Sequence, residues 1–308
     1  MKDVPADVAS APLAVARPAT RAADYLALTK PRLNVLVVAT SAAGYYLGAP
    51  GGSGGPGTID AVSIVSAVAG TALVAGGAAV LNQVCERDTD LLMRRTRLRP
   101  LPDGRVPPAD ATIFGLALSF AGVALLATRA NLMAAALALA TLVVYLLVYT
   151  PMKRRTPLAT LVGAVPGALP PLIGWTASHG AISVGGGILF AIVFLWQIPH
   201  FMAIAWLYRD DYAKAGFPML PVVEPEGRRA GRQAVIYSLA LLPVSLVPTV
   251  IGVSGKAYFG IALVLGVALL VLAIQFAATR SDQSARRLFF GSITYLPLLW
   301  IAMIANRL

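Results

Sequence analysis

Residues 61–100 read AVSIVSAVAGTALVAGGAAVLNQVCERDTDLLMRRTRLRP, an apolar run that ends in acidic and then basic side chains. As a helix, the apolar run is long enough to cross the hydrocarbon core of a bilayer, which is about 30 Å thick. Asn82, Glu86 and Asp90 are spaced four residues apart, so a continued helix aligns them along one face. The arginines that come next are Arg94, Arg95, Arg97, Arg99 and Arg105. The stretch predicts a polar site where a spanning helix meets the membrane surface.

The residue types in this stretch indicate the chemistry of the site. Carboxylates this close together repel each other unless a cation lies between them. Hard oxygen ligands suit Mg²⁺, which typically joins one or two carboxylates to the phosphates of a substrate. Arginines bind the remaining phosphate oxygens in a bidentate way. We therefore expect a magnesium–diphosphate site.

The composition extends the membrane prediction to the whole chain. Of its 308 residues, 57% are hydrophobic and 13% are charged, which is too apolar for an ordinary soluble domain. Apolar segments long enough to span a bilayer lie at 33–49, 61–86, 110–127, 131–149, 158–177, 184–207, 233–253, 257–277 and 288–306. We predict an all-α polytopic membrane protein of about nine transmembrane helices. The single cysteine, Cys85, excludes a disulfide framework and a CxxC metal site.

The N-terminal residues differ in composition from the rest of the chain. They lack the long apolar core of a signal peptide, and Asp3 and Asp7 argue against a mitochondrial transit peptide. We interpret residues 1–24 as a disordered cytoplasmic tail and residues 25–308 as one membrane domain.

The basic residues orient the predicted helices. With the N-terminus inside, 22 of the 25 lysines and arginines lie on the inner side, and only Arg129, Lys256 and Arg307 lie outside. This split follows the positive-inside rule and explains the net charge of +11 without nucleic acid. The sequence thus predicts a multi-pass protein of the cell inner membrane whose functional face is cytoplasmic.

Two short basic segments lie on this inner side, TKPR at residues 29–32 and YTPMKRRT at residues 149–156. Lys30 and Arg32 either contact a substrate or simply anchor the helix that follows. Tyr149 and Lys153 share a helical face if the helix continues through Pro151. Consecutive cations in an inner loop are also an ordinary topology signal.

A further inner segment runs from WQIPH at 196–200 to YRDDYAKAGFPMLP at 208–221. Asp210 and Asp211 form either a solvated turn or a second metal-binding element. His200 lies about 16 Å along the helix from Asp211, at a rise of about 1.5 Å per residue. Its imidazole is a hydrogen-bonded interior group, a haem ligand or an acid–base group.

Together and in this order, these features resemble the UbiA superfamily of intramembrane prenyltransferases. NQVCERDTDLLMRRTRLRP resembles its signature N-x-x-x-D-x-x-x-D, with Glu86 where the family usually has Asp. The continuation D-x-D-x-x-M-x-R-T-x-x-R-P resembles the protohaem IX farnesyltransferase branch, the haem O synthases. TKPR and the segments 149–175, 196–206 and 211–222 resemble the same branch. The resemblance implies a UbiA-type helical bundle over residues 24–306.

The resemblance also implies roles for individual residues. The matched positions are Asn82, Glu86 and Asp90 in the metal–diphosphate motif, Arg95 and Arg99 on the diphosphate, Tyr149 as a substrate-binding residue, Lys153 as a catalytic residue, and Asp211 in the second acidic motif. Lys30 and Arg32 lie in the matching TKPR segment and are implied to bind substrate. His200 matches a histidine of the haem O branch and not of UbiA enzymes generally, so it points to haem as the acceptor.

The implied reaction is farnesyl transfer from farnesyl diphosphate to a vinyl group of haem B, which gives haem O. The implied cofactor is Mg²⁺, held by Glu86, Asp90 and Asp211, with haem B as a substrate. Asp210 and Asp211 are adjacent and not spaced as D-x-x-x-D, so the number of metal ions, one or two, stays open. The expected partners are the lipid bilayer and a haem A synthase or oxidase assembly factors.

Three other functions compete with this interpretation. One is a UbiA-type enzyme with another aromatic or chlorin acceptor, against which His200 and the M-x-R-T-x-x-R-P continuation argue. Another is a small-solute transporter, which predicts repeat symmetry between halves that the sequence does not clearly show. The last is a non-catalytic haem-binding protein, which has no need of the acidic motif.

Overall fold

The computed structural model describes residues 20–49 and 61–308, and the regular elements in these ranges are helices. They are α1 (Arg21–Leu28), α2 (Pro31–Gly48), α3 (Ala61–Cys85), α4 (Arg87–Asp90), α5 (Pro108–Arg129), α6 (Leu132–Val143), a π-helical turn (Val144–Tyr149), α7 (Thr150–Met152), α8 (Ala159–His179), α9 (Val184–Leu207), α10 (Arg209–Lys214), α11 (Leu220–Val223), α12 (Arg228–Val250), α13 (Lys256–Thr279) and α14 (Asp282–Ala305). The predicted all-α class is confirmed for the described part of the chain.

Seven helices in the described ranges are long and apolar enough to cross a membrane. They are α3, α5, the continuous segment Leu132–Met152 that joins α6 to α7, α9, α12, α13 and α14. The predicted spans 33–49 and 158–177 correspond to α2 and α8, which are long helices but do not belong to these seven. The structure therefore supports a membrane bundle of at least seven candidate spans, and it does not establish the predicted nine.

Helices α2 and α8 pack closely against each other. A Cβ at Gly44 would lie 2.1 Å from the carbonyl oxygen of Pro171, and one at Gly174 would lie 1.9 Å from that of Ser41. Only glycine permits such a backbone approach. Helix α8 also supplies residues to both large apolar clusters, Ala168 to one and Leu169 to the other. It therefore joins the two halves of the bundle.

The outside of the bundle is apolar, as a membrane protein requires. Phe120 and Val250 are each 78% exposed, and Leu132 is 76% exposed. Large exposed apolar surfaces mark a membrane or a protein partner. Because these side chains lie on candidate spanning helices, we assign this surface to contact with lipid.

Of the predicted tail at residues 1–24, the structure describes only residues 20–24. Residues 1–19 and 50–60 lie outside the described residues. Helix α1 begins at Arg21, with the Thr20 side chain accepting from the Ala23 backbone nitrogen at 3.3 Å. Asp24 is buried and forms a 2.8 Å ion pair with Arg105. This contact across the chain, which local composition does not reveal, makes residues 21–24 part of the folded domain.

Candidate active site

The three regularly spaced polar residues lie together where α3 gives way to α4. Glu86 interrupts the helix, with φ −100° and ψ 7°. Backbone hydrogen bonds nevertheless continue across the break, from Glu86 N to Asn82 O at 2.9 Å and from Asp90 N to Glu86 O at 2.8 Å. The helical alignment predicted from the spacing is therefore retained. All three side chains are buried, with 2%, 7% and 1% exposure for Asn82, Glu86 and Asp90.

Lys153 pairs with the first of the two acids. Its Nζ lies 3.0 Å from Glu86 Oε1 and 3.2 Å from Oε2. The chain continues helically through Pro151, with Lys153 N bonded to Tyr149 O at 2.9 Å, so Tyr149 and Lys153 share a face as predicted. Burial lowers the pKa of Lys153, but its neighbours Tyr149, Glu86, Tyr145 and Tyr212 together outweigh burial and raise this pKa above its ordinary value. The ammonium is therefore held in its charged form.

A π-helical turn and a glycine place Tyr149 in this group. The turn, Val144–Tyr149, inserts an irregularity of the kind often found at functional sites. The Tyr149 ring packs against Gly163, where an added Cβ would lie 2.5 Å from Tyr149 Cε2. The Lys153 Nζ lies 5.4 Å from the centroid of the same ring. Tyr149 is thus fixed between α8 and the Lys153 ammonium.

Thr150 orients the amide of Asn82. Its hydroxyl donates to Tyr145 O at 2.8 Å and accepts from Asn82 Nδ2 at 3.1 Å. With Nδ2 engaged in this way, Oδ1 is the amide atom left to bind a cation. Thr150 lies within the YTPMKRRT segment, but nothing in the pattern of that segment distinguishes it.

The second acid is held by the loop that follows it. Arg99 Nη1 lies 2.8 Å from Asp90 Oδ2, and the Thr96 hydroxyl donates to Asp90 O at 2.8 Å. Arg95 takes another position, with its guanidinium 5.1 Å from the ring centroid of Tyr208 and 4.7 Å from that of Tyr212. The two predicted diphosphate-binding arginines therefore reach the site differently: Arg99 contacts a carboxylate and Arg95 contacts aromatic rings.

Lys30 approaches the same cluster from the turn before α2. It is half-buried and has a left-handed backbone with φ 50°. Burial, and then the positive charges of Arg99 and Lys153, lower the pKa of Lys30 to about 8. The turn is tied to α3 by Gln83, whose Nε2 donates to Leu28 O at 2.6 Å. Arg32, one residue into α2, is exposed.

The second acidic motif does not join the first. Within residues 20–49 and 61–308, no group of three His, Cys, Asp or Glu side chains is placed to hold a metal ion. The predicted ligand set of Glu86, Asp90 and Asp211 is therefore not assembled in this structure. Asp211 is half-buried near the start of α10. Glu224, the next acidic residue along the chain, accepts instead from the Arg229 backbone nitrogen at 2.7 Å.

Aromatic residues connect the segment around α10 to the cluster instead. Tyr212 is the ring over which Arg95 lies, and the Phe217 ring centroid lies 5.2 Å from Lys153 Nζ. Both rings are buried and pack edge to face, with centroids 6.1 Å apart. The acidic residues of the segment 208–221 mark it as a candidate site in the sequence, whereas nothing there indicates a role for its aromatic residues.

His200 belongs to a different group of side chains, between α9 and α14. Its ring stacks with those of Trp196 and Phe289, at centroid distances of 5.0 Å and 5.2 Å. Its Nδ1 lies 2.8 Å from Ser292 Oγ. The contacts described for His200 thus come from these two helices and not from the acids.

The geometry defines a compact cluster of alternating charges at one end of an apolar bundle. Two buried carboxylates, each with a basic partner, match the donor set with which proteins hold Mg²⁺ together with substrate phosphates. Glu86 and Asp90 are the residues able to hold such an ion, with Asn82 beside them. Lys153 and Arg99 are placed to bind an anion at the same point.

Over most of its length the chain is similar to known proteins. The model of the UbiA prenyltransferase family matches residues 37–296. A protoheme IX farnesyltransferase of Solibacter usitatus is 47% identical over 287 residues, covering 92% of this chain and 98% of that protein. One from Koribacter versatilis is 44% identical over 305 residues, covering 96% of this chain and 97% of that protein.

Solved structures share the fold at low sequence identity. A digeranylgeranylglyceryl phosphate synthase matches with a TM-score of 0.77 at 17% identity, over 92% of this chain and 97% of that chain. A UbiA homolog from Archaeoglobus fulgidus bound to GPP and Mg²⁺ matches with a TM-score of 0.66 at 16% identity, over 92% and 99%. The family match and the similarity to the two farnesyltransferases show that this chain belongs to the UbiA prenyltransferase family.

Proposed function

We propose that this protein transfers the farnesyl group of farnesyl diphosphate to a vinyl group of haem B, giving haem O and diphosphate. The observation that carries the proposal is the buried set of paired charges, Glu86 with Lys153 and Asp90 with Arg99. Ionisable groups buried in a membrane protein are costly and usually functional. The relatives named protoheme IX farnesyltransferase support the choice of donor and acceptor.

Glu86 and Asp90 are the residues that would hold Mg²⁺, with the Asn82 amide oxygen as a neighbouring ligand. When bound, Mg²⁺ supplies Lewis-acid neutralisation of the charge that develops on the departing diphosphate. The UbiA homolog bound to GPP and Mg²⁺ supports this assignment. Asp211 is a proposed third ligand that has to approach the other two carboxylates in the loaded site, since the three do not form a group here.

The leaving group is stabilised by the basic side chains around the acids. The bond between farnesyl C1 and the diphosphate oxygen breaks, and both electrons leave with the diphosphate. Lys153 and Arg99 already donate to carboxylate oxygens at 2.8 to 3.2 Å, so they can also donate to phosphate oxygens beside them. Arg95 and Lys30 add positive charge around the same anion. Arg32, at the start of α2, is a further proposed substrate-binding residue.

The acceptor then captures the allylic cation. The vinyl group of haem B supplies the electron pair for the new carbon–carbon bond. Water adds to the cation formed beside the porphyrin and loses a proton, which leaves a hydroxyl group. Until the carbon–carbon bond forms, water has to be kept from the farnesyl cation. The apolar bundle and the aromatic rings of Tyr149 and Phe217 beside Lys153 support this exclusion. His200 is the proposed haem-binding residue.

We also propose nine membrane crossings, with the N-terminus and the active site on the cytoplasmic side of the cell inner membrane. The two helices beyond the seven candidates, α2 and α8, are as long as a spanning helix needs to be and pack against other helices. The distribution of lysine and arginine, 22 against 3, supports the orientation. Delivery of the product to a haem A synthase or oxidase assembly factor remains part of this proposal.

The proposal is tested with purified protein in lipid nanodiscs, supplied with haem B, farnesyl diphosphate and Mg²⁺. Wild type should form haem O, identified by mass spectrometry. Asp90→Ala should lower the rate at least about 100-fold, the scale on which loss of one electrostatic group at a reacting centre acts. Asp88→Ala is the matched control, because this carboxylate is 82% exposed and pairs only with its neighbour Arg87 among the described residues.

The assay also separates the proposed reaction from its alternatives. Near-normal haem O formation by Asp90→Ala would remove the acidic cluster from the mechanism. Release of diphosphate with another aromatic or chlorin acceptor, but without haem O, would establish a prenyltransferase of different acceptor specificity.

A further inference from the structure

His200, the proposed haem-binding residue, belongs to a hydrogen-bonded network whose other members have no role in the reaction proposed above. The Ser292 hydroxyl lies between two groups, Phe289 O at 2.7 Å and His200 Nδ1 at 2.8 Å. The Trp196 indole nitrogen donates to Ser292 O at 2.7 Å. Ser292 is fully buried, with 0% exposure. The serine is therefore fixed through its backbone as well as its side chain.

This network determines which nitrogen of His200 carries the proton. A carbonyl oxygen can only accept, so the hydrogen bond to Phe289 O uses the single hydrogen of the Ser292 hydroxyl. The contact with His200 can then form only if Nδ1 donates and Ser292 Oγ accepts. A neutral imidazole with its proton on Nδ1 has an unprotonated Nε2, whose lone pair is available to a metal.

The aromatic neighbours fix the direction of that lone pair. The ring planes of Trp196 and Phe289 are inclined by only 17° and 20° to that of His200, so both stack with it. A third ring, that of Phe201, packs edge to face with the imidazole at a centroid distance of 5.8 Å. With Nδ1 engaged by Ser292, Nε2 is the ring nitrogen left for a ligand. Within the described residues, His200 makes no hydrogen bond through Nε2.

We infer that Ser292 is a positioning residue that holds His200 in the tautomer able to ligate the iron of haem B through Nε2. The inference rests on the proposed function, because haem B is the substrate named there. A hydrogen-bond acceptor behind a ligating histidine fixes its tautomer and orientation and increases its basicity. Ser292 lies on α14, 92 residues from His200 in the chain, and no motif in the sequence connects them.

The test measures haem binding by absorption titration in wild type, His200→Ala, Ser292→Ala and Ser238→Ala. Ser292→Ala should weaken haem affinity at least about tenfold, the usual effect of removing such a partner. It should shift the haem spectrum toward that of His200→Ala, raise the KM for haem and leave the KM for farnesyl diphosphate unchanged. Ser292→Thr, which keeps a hydroxyl at this position, should restore affinity toward wild type.

Ser238→Ala is the matched control. Ser238 is also a buried serine, with 1% exposure, and its hydroxyl has no hydrogen-bond partner among the described residues. Its removal should leave the haem spectrum, the haem affinity and both KM values as in wild type. A change equal to that of Ser292→Ala would mean that loss of any buried hydroxyl disturbs haem binding, which would overturn the inference.

The remaining outcomes separate this inference from the proposed function. If His200→Ala changes the haem spectrum and Ser292→Ala does not, the role of Ser292 is refuted and the farnesyl transfer stands. An unchanged spectrum in His200→Ala refutes iron ligation and the role of Ser292 with it. If wild type binds haem but forms no haem O, the proposed reaction fails, while the binding comparison between the serine variants still decides the inference.

Discussion

Replacing Lys153 by methionine should expose the cost of the buried charge on Glu86. The two side chains are only 15% and 8% exposed, and the lysine makes contacts of 3.0 Å and 3.2 Å to the two carboxylate oxygens. Removing one partner of a buried ion pair typically costs about 3–5 kcal/mol, because the other charge is left uncompensated. We expect Lys153→Met to lower the free energy of unfolding by an amount on this scale.

A double-mutant cycle isolates this effect from the loss of side-chain packing. Glu86→Gln removes the opposite charge, and in the double variant Glu86→Gln/Lys153→Met neither charge remains. The double variant should therefore be less destabilised than the sum of the single variants, by about 2 kcal/mol within the usual 0.5–3 kcal/mol range for interacting residues. The free energies would be measured by denaturant titration in one detergent, followed by circular dichroism.

Additive single effects would refute this account of the pair. They would mean that Glu86 and Lys153 contribute to stability independently, despite the distances between their atoms. The control variant Arg87→Met also removes the cation of an ion pair, the one with Asp88 at 3.0 Å, but here both side chains are exposed. Exposed ion pairs contribute about 0–1 kcal/mol, so this change should have little effect on unfolding.

Two further variants test how the site residues are positioned. Thr150→Val removes the hydroxyl that accepts from Asn82 Nδ2, so the Mg²⁺ concentration needed for half-maximal rate should rise about tenfold. The control Thr150→Ser keeps the hydroxyl and should remain near wild type. An unchanged Mg²⁺ dependence in Thr150→Val would argue against an orienting role. Gly163→Ala places a Cβ 2.5 Å from Tyr149 Cε2 and should lower kcat/KM. The control Gly187→Ala, with no atom within 4 Å of the added Cβ, should leave kcat/KM unchanged. Equal values of kcat/KM in the two variants would show that the position of Tyr149 is unimportant.

The parts of the site that were predictable from the sequence are those set by local geometry. Asn82, Glu86 and Asp90 are aligned because the backbone hydrogen bonds repeat every four residues, even across the break at Glu86. Tyr149 and Lys153 are aligned for the same reason. The apolar segments indicate helices because their length and hydropathy are local properties as well.

The parts that were not predictable depend on contacts between distant segments. Thr150 is 68 residues from Asn82 in the chain, and nothing in the spacing of either motif indicates that they hydrogen-bond. Phe217 lies over Lys153 only because the segment after α10 folds back onto the site. Asp211 shows the converse: an acidic residue in a suggestive motif does not complete a group of three possible metal ligands in the described structure.

The pairing of charges explains how an apolar bundle retains a site for a highly charged substrate. The negative charges of Glu86 and Asp90 are balanced by Lys153 and Arg99, so each of these two pairs is neutral, whereas an isolated buried charge would be costly. A diphosphate bound together with Mg²⁺ would bring both signs of charge, so Glu86 and Asp90 would hold the metal and Lys153 and Arg99 would bind phosphate oxygens in the function we propose. Because we propose that Lys153, which pairs with Glu86 in the folded protein, also stabilises the leaving group, we expect its loss to lower both the free energy of unfolding and the rate.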